Sequence, residues 1–471
     1  SDLNGGEGPN EDAPVSYVLG SGNTNMPSSG TIIAQYADAP VGSEIRRLVD
    51  DNADTKYVTY HSSFNITWNG NSSKAVTAYS LTSAADTPEM DPKDWTLYGS
   101  NDNTTWTELD AQTNQLFAAR KEEKSYEVDN ATSYRYYRLS VEANNGGAAT
   151  QIAEWKLVAM RSYTENINDL IASKGSSTFS AITPMGRQHE NDREATAADL
   201  KWLADPAEEP EPFGDGGTKM AWNTFNVVSI YPNGNPVMSD VNQRWVGDCC
   251  ACAVIASMAY LYPRFVKHII KDNMDKTYTV TMYDPKGKQI SVGVGGDYFI
   301  GNSGDLGALG GRNKEVTWAT ILEKAMIKWN QIYQGSSNVG GIGTEYVSAI
   351  FTGDGESVGF GANALIAEDL QRAVEVSLKQ GRLVIGGFTR SGEQVDQNWQ
   401  TTSGHAFTFI LPDDNTHLFK MRNPWGGTTD GVMKVKDDGR IPPMIDLRIC
   451  APGAAKNYGV GPDLGGYIPN F

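Results

Sequence analysis

The stretch Gln243–Ala253 reads QRWVGDCCACA, and it holds three of the four cysteines of the chain within four positions, namely Cys249, Cys250 and Cys252. Gly247 allows a tight turn, Asp248 is a good N-cap, and the apolar run behind them predicts a helix from Cys249 towards Pro263. The Cys249 sulfur would then lie at the positive end of that helix. Unpaired N–H groups at this end favour the thiolate, which is the form that a nucleophilic cysteine requires.

Other chemistries for these cysteines need partners that the sequence does not supply. Cys249 and Cys252 form a C-x-x-C pair, but the surrounding region lacks the small βαβ pattern of a thioredoxin-like dithiol. A structural zinc site needs four ligands, and only the distant Cys450 could join the cluster. Four cysteines in 471 residues are also too few for a disulfide scaffold. We interpret Cys250 and Cys252 as small buried apolar residues of the helix.

A catalytic thiolate also needs a base, a group that orients the base, and donors for the oxyanion. SGHAFTFIL places His405 at the start of an apolar strand, where a histidine alone is more often structural. RNPWGG adds Asn423, whose oxygen would accept an imidazole N–H, and Trp425, which would shield that bond from water. Gln243 lies six residues before Cys249, so its amide would join the Cys249 backbone N–H in an oxyanion hole.

The region 31–161 has a different texture, rich in Thr, Tyr, Trp and Val, and a polar lead, 1–30, precedes it. Within YRYYRLSVEA, Tyr137, Leu139 and Val141 alternate with polar residues. Short alternating runs with turns about every 8 to 12 residues predict an all-β jelly-roll sandwich.

The residue composition changes at two further points along the chain. Residues 162–220 include DPAEEPEPFGDGG, and this density of proline and acidic residues is typical of a linker or of a propeptide-like segment. In residues 221–471 helical spacing comes first, as in VTWATILEKAMIKW, and strand-like runs such as HAFTFIL follow. Helices followed by strands predict an α+β domain.

The composition of the chain limits which classes of partner and which cellular locations are compatible with it. A net charge of -18 repels polyphosphate backbones and excludes nucleic acid as a partner. No run reaches the roughly 18 apolar residues of a membrane span. The polar opening SDLNGGEGPNEDAP suits a tether behind a cleaved export signal or a lipid anchor. We therefore expect a secreted or surface-anchored monomer.

Residues 221–471 resemble the calpain family of papain-like cysteine proteases in QRWVGDC, WATILEKAMIKW, NVGGIGTEYVSAIFTG, SGHAF and FKMRNPWGG. The resemblance implies that Cys249 is the nucleophile and His405 the base. It also implies that Asn423 orients the base and that Gln243 donates to the oxyanion. It also implies a substrate cleft along Gly340, Gly341, Gly404 and Trp425. This chemistry requires no cofactor, although protease cores of this family also bind calcium.

Two positions depart from the family pattern. Cys250 stands where the family usually has Trp directly after the nucleophile, and Arg244 stands where it usually has Gly. The first departure leaves that side of the cleft floor undefined.

Region 31–161 resembles the coagulation factor 5/8 type C, or discoidin, jelly roll in LVDDNADTKYVT, DWTLYGSNDNTTWTELD and IAEWKL. In many relatives the first loop and a terminal Glu hold a structural calcium, and the matching residues are Asp50, Asn52, Thr55 and Glu154. An ordinary Asx-rich turn would also explain that loop. Loops of this fold often bind glycans, and Tyr57 or His61 are candidates for such a contact, although aromatic residues at such positions are more often part of the core.

Two functions from different classes follow. The first is a calpain-like cysteine endopeptidase that its jelly roll docks to a glycan or protein surface. The second is a catalytically silent adhesion or glycan-binding protein that retains a protease-shaped module.

Overall fold

The computed structural model describes residues 13–20, 22–160, 167–168, 177–180, 192–214, 220–361, 367–388, 390–412, 417–427, 429–436 and 445–469. They belong to two compact units. The first comprises Ser1–Ser162 with Gly459–Asn470, and the second comprises Tyr163–Tyr458 with Phe471.

The first unit is an all-β sandwich, as the sequence predicts. Its strands are β1 (Val15–Leu19), β2 (Gly30–Ala34), β3 (Tyr57–Thr59), β4 (Phe64–Thr82), β5 (Pro92–Ser100), β6 (Thr107–Gln112), β7 (Glu123–Glu127), β8 (Tyr134–Asn144), β9 (Thr150–Ile152) and β10 (Glu154–Met160). The 19-residue β4 is shared between both layers. Its first half pairs with β2 and β8, in the order β1-β2-β4-β8-β5-β6, and its second half pairs with β7 and β10.

The sandwich core follows the predicted alternation. Tyr137, Leu139 and Val141 are buried on one face of β8, and Trp95 and Leu97 of β5 pack into the same core. Burial of such aromatic and aliphatic side chains supplies the main driving force for folding this unit.

Two features of this unit lie outside the predicted range 31–161. Strand β1 falls in the stretch interpreted as a polar lead, and four of its five residues are exposed, so alternation could not reveal it. At the other end, a short strand, Tyr467–Ile468, pairs in parallel with β10. Both strands join the sheets through backbone hydrogen bonds, which sequence patterns signal weakly.

The second unit contains both helices and strands, as predicted, but the expected order of helices before strands is wrong, because the strands within 270–300 lie between two of its helices. Its helices are α1 (Ala197–Ala204), α2 (Cys249–Leu261), α3 (Pro263–Ile269), α4 (Trp318–Tyr333), α5 (Thr344–Thr352) and α6 (Ala367–Lys379). Its strands are β11 (Ser177–Ser180), β12 (Ala221–Thr224), β13 (Ile270–Asp272), β14 (Tyr278–Tyr283), β15 (Gln289–Val294), β16 (Asp297–Ile300), β17 (Glu356–Phe360), β18 (Leu383–Phe388), β19 (Phe407–Ile410), β20 (His417–Arg422), β21 (Val432–Lys436) and β22 (Ile445–Cys450); the short terminal strand of the first unit, Tyr467–Ile468, is β23.

An antiparallel seven-stranded sheet, β11-β17-β22-β18-β19-β20-β21, forms the body of this unit. Helix α2 packs against β18 and β19, and Thr408 of β19 donates a hydrogen bond to the Ala253 carbonyl. This contact brings the start of α2 and the start of β19 together, although about 150 residues separate them in sequence.

The segment interpreted as a linker contains ordered structure. Helix α1 begins with a capping box between Thr196 and Asp199 and packs on α4 and β15. The Lys324 ammonium of α4 pairs with the Glu209 carboxylate at 2.7 Å, and Lys328 donates to the Asp205 carbonyl at 2.9 Å. The stretch 192–214 of this segment therefore packs as part of the second unit.

Across the described ranges, no single helix is both long and apolar enough to cross a membrane. Helices α2 and α3 meet that composition test only together, across a bend of 113°.

Candidate active site

The candidate nucleophile lies at the first position of α2. The helix begins at Cys249 and ends before Pro263, as predicted, with Asp248 at the N-cap position. The Asp248 side chain does not cap the helix, however. It accepts a hydrogen bond from the Cys252 thiol at 3.3 Å and faces Glu323 instead.

Three neighbouring groups favour the anionic form of the Cys249 sulfur: the Cys250 thiol, the His405 imidazole and the Ala406 backbone N–H. The Cys250 contact contributes most to lowering the pKa of Cys249 to about 4; burial opposes this shift, and the His405 and Ala406 contacts add to it. The sulfur is therefore a thiolate over the whole neutral range, and the residue is only partly buried. Side-chain patterns could not reveal Ala406, because it acts through its backbone.

The base and its orienter are held rigidly. The His405 Nε2 lies 2.8 Å from the Asn423 Oδ1, and the same oxygen accepts the Trp425 backbone N–H at 3.0 Å. The Trp425 ring lies 4.3 Å from the imidazole, with the Phe407 ring edge-on at 5.1 Å. With Nε2 donating to Asn423, Nδ1 is the nitrogen that faces the sulfur. Trp425 covers the imidazole as predicted, yet half of its own surface remains exposed.

Gln243 is anchored to the loop that follows Asn423. Its backbone N–H donates to the Pro424 carbonyl at 2.8 Å, and its side-chain Nε2 donates to the Val246 carbonyl at 2.9 Å. A carboxamide has two N–H bonds, so the second can serve an oxyanion. The Cys249 backbone N–H belongs to the first turn of α2, whose N–H groups have no intrahelical acceptor.

The predicted cleft glycines lie on two loops. The Gly341 N–H donates to the Gly247 carbonyl at 3.2 Å, which joins the glycine loop to the turn before the nucleophile. Gly404 has a φ of +65°, and a Cβ there would meet no atom within 4 Å. Gly340 would place a Cβ 3.7 Å from that same Gly247 carbonyl. Open space beside Gly404 leaves room for an extended substrate backbone.

A buried carboxyl pair below the nucleophile was not predicted. Asp248 and Glu323 are each 1% exposed, and their carboxyl oxygens lie with the Cys252 sulfur within 4.8 Å of one another. Burial raises the pKa of both carboxyl groups, for Asp248 to about 6. Two carboxylates this close cannot both be charged, so they share one proton. Glu323 lies between apolar positions of α4, and its sequence context gives no sign of this contact.

The two departures from the family pattern have structural consequences. Cys250 is half-buried. The interpretation of Cys250 as a buried apolar residue is therefore wrong, whereas Cys252 is fully buried as expected. Arg244 spans to the neighbouring loop and donates to the Gly311 carbonyl at 2.9 Å.

In the sandwich unit, the four predicted calcium ligands lie together. The Thr55 hydroxyl is 2.5 Å from Asp50 Oδ2 and 3.0 Å from the Asn52 carbonyl, and the Asp50 carboxyl reaches Glu154. Burial raises the pKa of Glu154, and the Asp50 contact adds to that rise. Converging carboxyl, hydroxyl and carbonyl oxygens fit Ca²⁺. Lys156, paired with Asp51, places a competing positive charge nearby.

The two glycan-contact candidates differ in exposure. Tyr57 is 1% exposed and packs edge-on against Phe64, so it is a core residue and not a glycan contact. The His61 ring stacks on Tyr36 at 3.6 Å, and its Nδ1 lies 3.0 Å from Asp38 Oδ2. This partly exposed pair remains a candidate contact surface.

Comparisons with known proteins bear on both units. A curated peptide-N(4)-(N-acetyl-beta-glucosaminyl)asparagine amidase of Arabidopsis thaliana is 46% identical over 80 residues, or 16% of this chain. The match spans only 11% of that relative's length. Among solved structures, CpGH89CBM32-5 of Clostridium perfringens, in complex with GalNAc-β-1,3-galactose, covers 30% of this chain and 99% of its own, at 15% identity and a TM-score of 0.24. The family 32 carbohydrate-binding module of Streptococcus pneumoniae EndoD covers 31% of this chain and 98% of its own, also at 15% identity and a TM-score of 0.24.

The protease resemblance rests on a longer match. The family model described as calpain family cysteine protease matches residues 222–431, a range that includes Gln243, Cys249, His405 and Asn423. Residues 222–431 of this chain therefore form a domain of the calpain family of cysteine proteases.

Proposed function

We propose that the chain is a cysteine endopeptidase that hydrolyses peptide bonds through Cys249, His405 and Asn423. The observation that supports this most is the pairing of the base with its orienter: His405 Nε2 lies 2.8 Å from Asn423 Oδ1, and the same imidazole helps to lower the pKa of the Cys249 thiol. A thiolate, an oriented imidazole and a fixed orienter are the parts that acyl transfer requires.

The reaction begins with attack of the Cys249 thiolate on the carbonyl carbon. The carbonyl oxygen becomes an oxyanion, which accepts hydrogen bonds from the Cys249 backbone N–H and from the Gln243 amide. His405, protonated while it faces the thiolate, donates its proton to the amine as the C–N bond breaks. The amine leaves, and an acyl group remains on sulfur as a thioester.

Deacylation uses the same groups. The neutral His405 imidazole removes a proton from water, and the resulting hydroxide attacks the thioester carbon. Cys249 then leaves as the thiolate, and the ion pair with His405 forms again. Throughout, Asn423 keeps the imidazole in the tautomer and orientation that face the sulfur, and Trp425 excludes water from the His405–Asn423 bond.

The sandwich unit would deliver the enzyme to a glycan or protein surface. The stacked Tyr36 and His61 rings, with Asp38 fixing the imidazole, present an aromatic and polar pair at the surface of that unit. Such a pair suits a sugar, which stacks its apolar face on a ring and bonds its hydroxyls to polar groups. Secretion or attachment to the cell surface stays a prediction of the sequence.

A peptide library incubated with the whole chain, with and without a calcium chelator, tests this proposal. Cys249→Ala should abolish cleavage, whereas Cys450→Ser, which alters a buried thiol of β22, should retain it. The library should include an N-glycosylated peptide, because the Arabidopsis relative is named for hydrolysis of a glycosylated asparagine amide. If only the glycan is released and no peptide bond is cleaved, the chain is an amidase and not an endopeptidase. If nothing is hydrolysed, the result favours a catalytically silent adhesion protein.

A further inference from the structure

Cys249 and Cys250 are two free thiols on adjacent residues that open α2. Both residues are partly exposed. The other two cysteines, Cys252 and Cys450, are fully buried. The peptidase chemistry uses the Cys249 sulfur and leaves the Cys250 thiol without a role in bond cleavage.

The two thiols differ in their protonation. Contacts with Cys250, His405 and Ala406 favour the anionic form of Cys249. The polar interaction with the Cys249 side chain, followed by burial, raises the pKa of Cys250, so that its thiol keeps its proton. An accessible thiolate is the form that hydroperoxides oxidise, and an adjacent thiol is what converts the product to a disulfide.

We propose that Cys250 is the resolving thiol for an oxidised Cys249, so that the nucleophile is switched off reversibly by a disulfide between neighbouring residues. A hydroperoxide transfers one oxygen to the Cys249 thiolate and leaves as an alcohol or water, which gives a sulfenic acid at Cys249. The Cys250 sulfur then attacks the Cys249 sulfur, a bond between them forms, and the sulfenic oxygen leaves with two protons as water. A dithiol returns both sulfurs to thiols by accepting the bond and becoming a disulfide itself.

The position of the two residues at the start of α2 allows a disulfide between neighbours to form and also makes that disulfide easy to reduce. Consecutive Cα atoms are about 3.8 Å apart, which is shorter than the spacing of ordinary disulfides. The ring must distort the backbone, but Cys249 and Cys250 open the helix, where N–H groups lack intrahelical partners and the Asp248 side chain forms no cap. The strain that remains makes such a bridge easy to reduce, as a reversible switch requires.

Cys252 is the alternative partner, and its contacts oppose that role. Its sulfur is fully buried and donates to Asp248 Oδ1 at 3.3 Å, on the side of the carboxyl pair with Glu323. A bridge from Cys249 to Cys252 would break that bond inside the core. Cys250 needs no such change, because it is the next residue on the first turn of α2 and is itself partly exposed.

Hydrogen peroxide on the whole chain tests the switch without any peptide substrate. After treatment, the wild-type peptide that carries both residues should be about 2 Da lighter than its reduced form, and labelling of Cys249 by a thiol-directed epoxide should be lost. Dithiothreitol should restore the labelling completely. In Cys250→Ser, and in Cys250→Ala as a second variant, the same peptide should gain about 32 Da or more as sulfinic or sulfonic acid, and dithiothreitol should not restore labelling.

The matched control is Cys450→Ser, which should behave as the wild type. The proposal is overturned if wild-type Cys249 accumulates irreversible oxygen adducts as fast as Cys250→Ser does, or if mapping joins Cys249 to Cys252 or to a second molecule. The proposal rests on the reactive thiolate of the proposed function and not on peptide cleavage. A chain that labels at Cys249 but cleaves no peptide would therefore refute the endopeptidase and still test the switch.

Discussion

Each unit buries a cluster of ionisable groups, and the two clusters are used differently. In the sandwich, the Glu154 carboxylate accepts N–H groups of Asp51 and Asn52 and the Asn25 amide, so its bonds tie the first loop to β10. In the second unit, the groups around Cys249 favour its thiolate, and the residue stays partly exposed. The polar contacts of the first cluster stabilise the fold by joining two segments of the chain. The second cluster keeps the Cys249 sulfur available to a substrate.

Removal of the Cys249 sulfur should have the largest effect on activity. Cys249→Ala should lower kcat/KM for a cleaved peptide by about 10⁴-fold or more, since the loss of a nucleophile removes the covalent route entirely. Thermal unfolding of the same variant should change little, because the sulfur is not part of the core. Retained turnover in this variant would place the nucleophile elsewhere.

Gln243→Ala should have the next largest effect. Loss of one oxyanion donor typically lowers kcat by about 10² to 10³, and the substrate KM should change much less because the donor acts in the transition state. Gln243→Glu replaces the donor N–H by an acceptor oxygen and should be at least as inactive. A change confined to KM would show that Gln243 contacts substrate but not the oxyanion.

Calcium should stabilise the sandwich and leave the thiolate cluster unchanged. If Asp50, Asn52, Thr55 and Glu154 bind the ion, calcium at about 100 times its Kd should add about 2.7 kcal/mol to the free energy of unfolding of that unit. Differential scanning calorimetry with and without chelator should show the shift. It should vanish in Glu154→Gln. A shift that survives this change would locate the ion at another site.

The smallest effect concerns the carboxyl pair below α2. Glu323→Ala leaves the Asp248 carboxyl buried without its partner and should cost about 1 to 3 kcal/mol of stability, measured by denaturant unfolding. Glu323→Gln keeps a donor opposite Asp248 and should recover most of that loss. Equal destabilisation by both variants would mean that no proton is shared between the two carboxyl groups.

The sequence is informative where chemistry depends on side chains in a recognisable order. The helix start at Cys249, the His405–Asn423 contact and the alternation through Tyr137, Leu139 and Val141 all agree with their patterns. The endopeptidase activity, the export of the chain and the calcium site stay predictions.

Contacts made by backbone groups or by isolated residues could not be predicted from the sequence. The Ala406 N–H and the exposed edge strand β1 carry no side-chain signal. Cys250 and Glu323 depend on where distant elements pack, because only the folded chain places Glu323 of α4 under Asp248. Patterns of spacing along one element cannot show which side chain of another element it will face.

The pH dependence of Cys249 alkylation tests the thiolate most directly. Labelling by a thiol-directed epoxide, followed by peptide mapping, should show an inflection near pH 4 for the wild type, because the group reacts as the anion above the pKa of about 4 that Cys250, His405 and Ala406 produce. His405→Ala should move that inflection upwards. Labelling of Cys250 in place of Cys249, or an inflection near the ordinary cysteine pKa of about 8.5, would contradict the account.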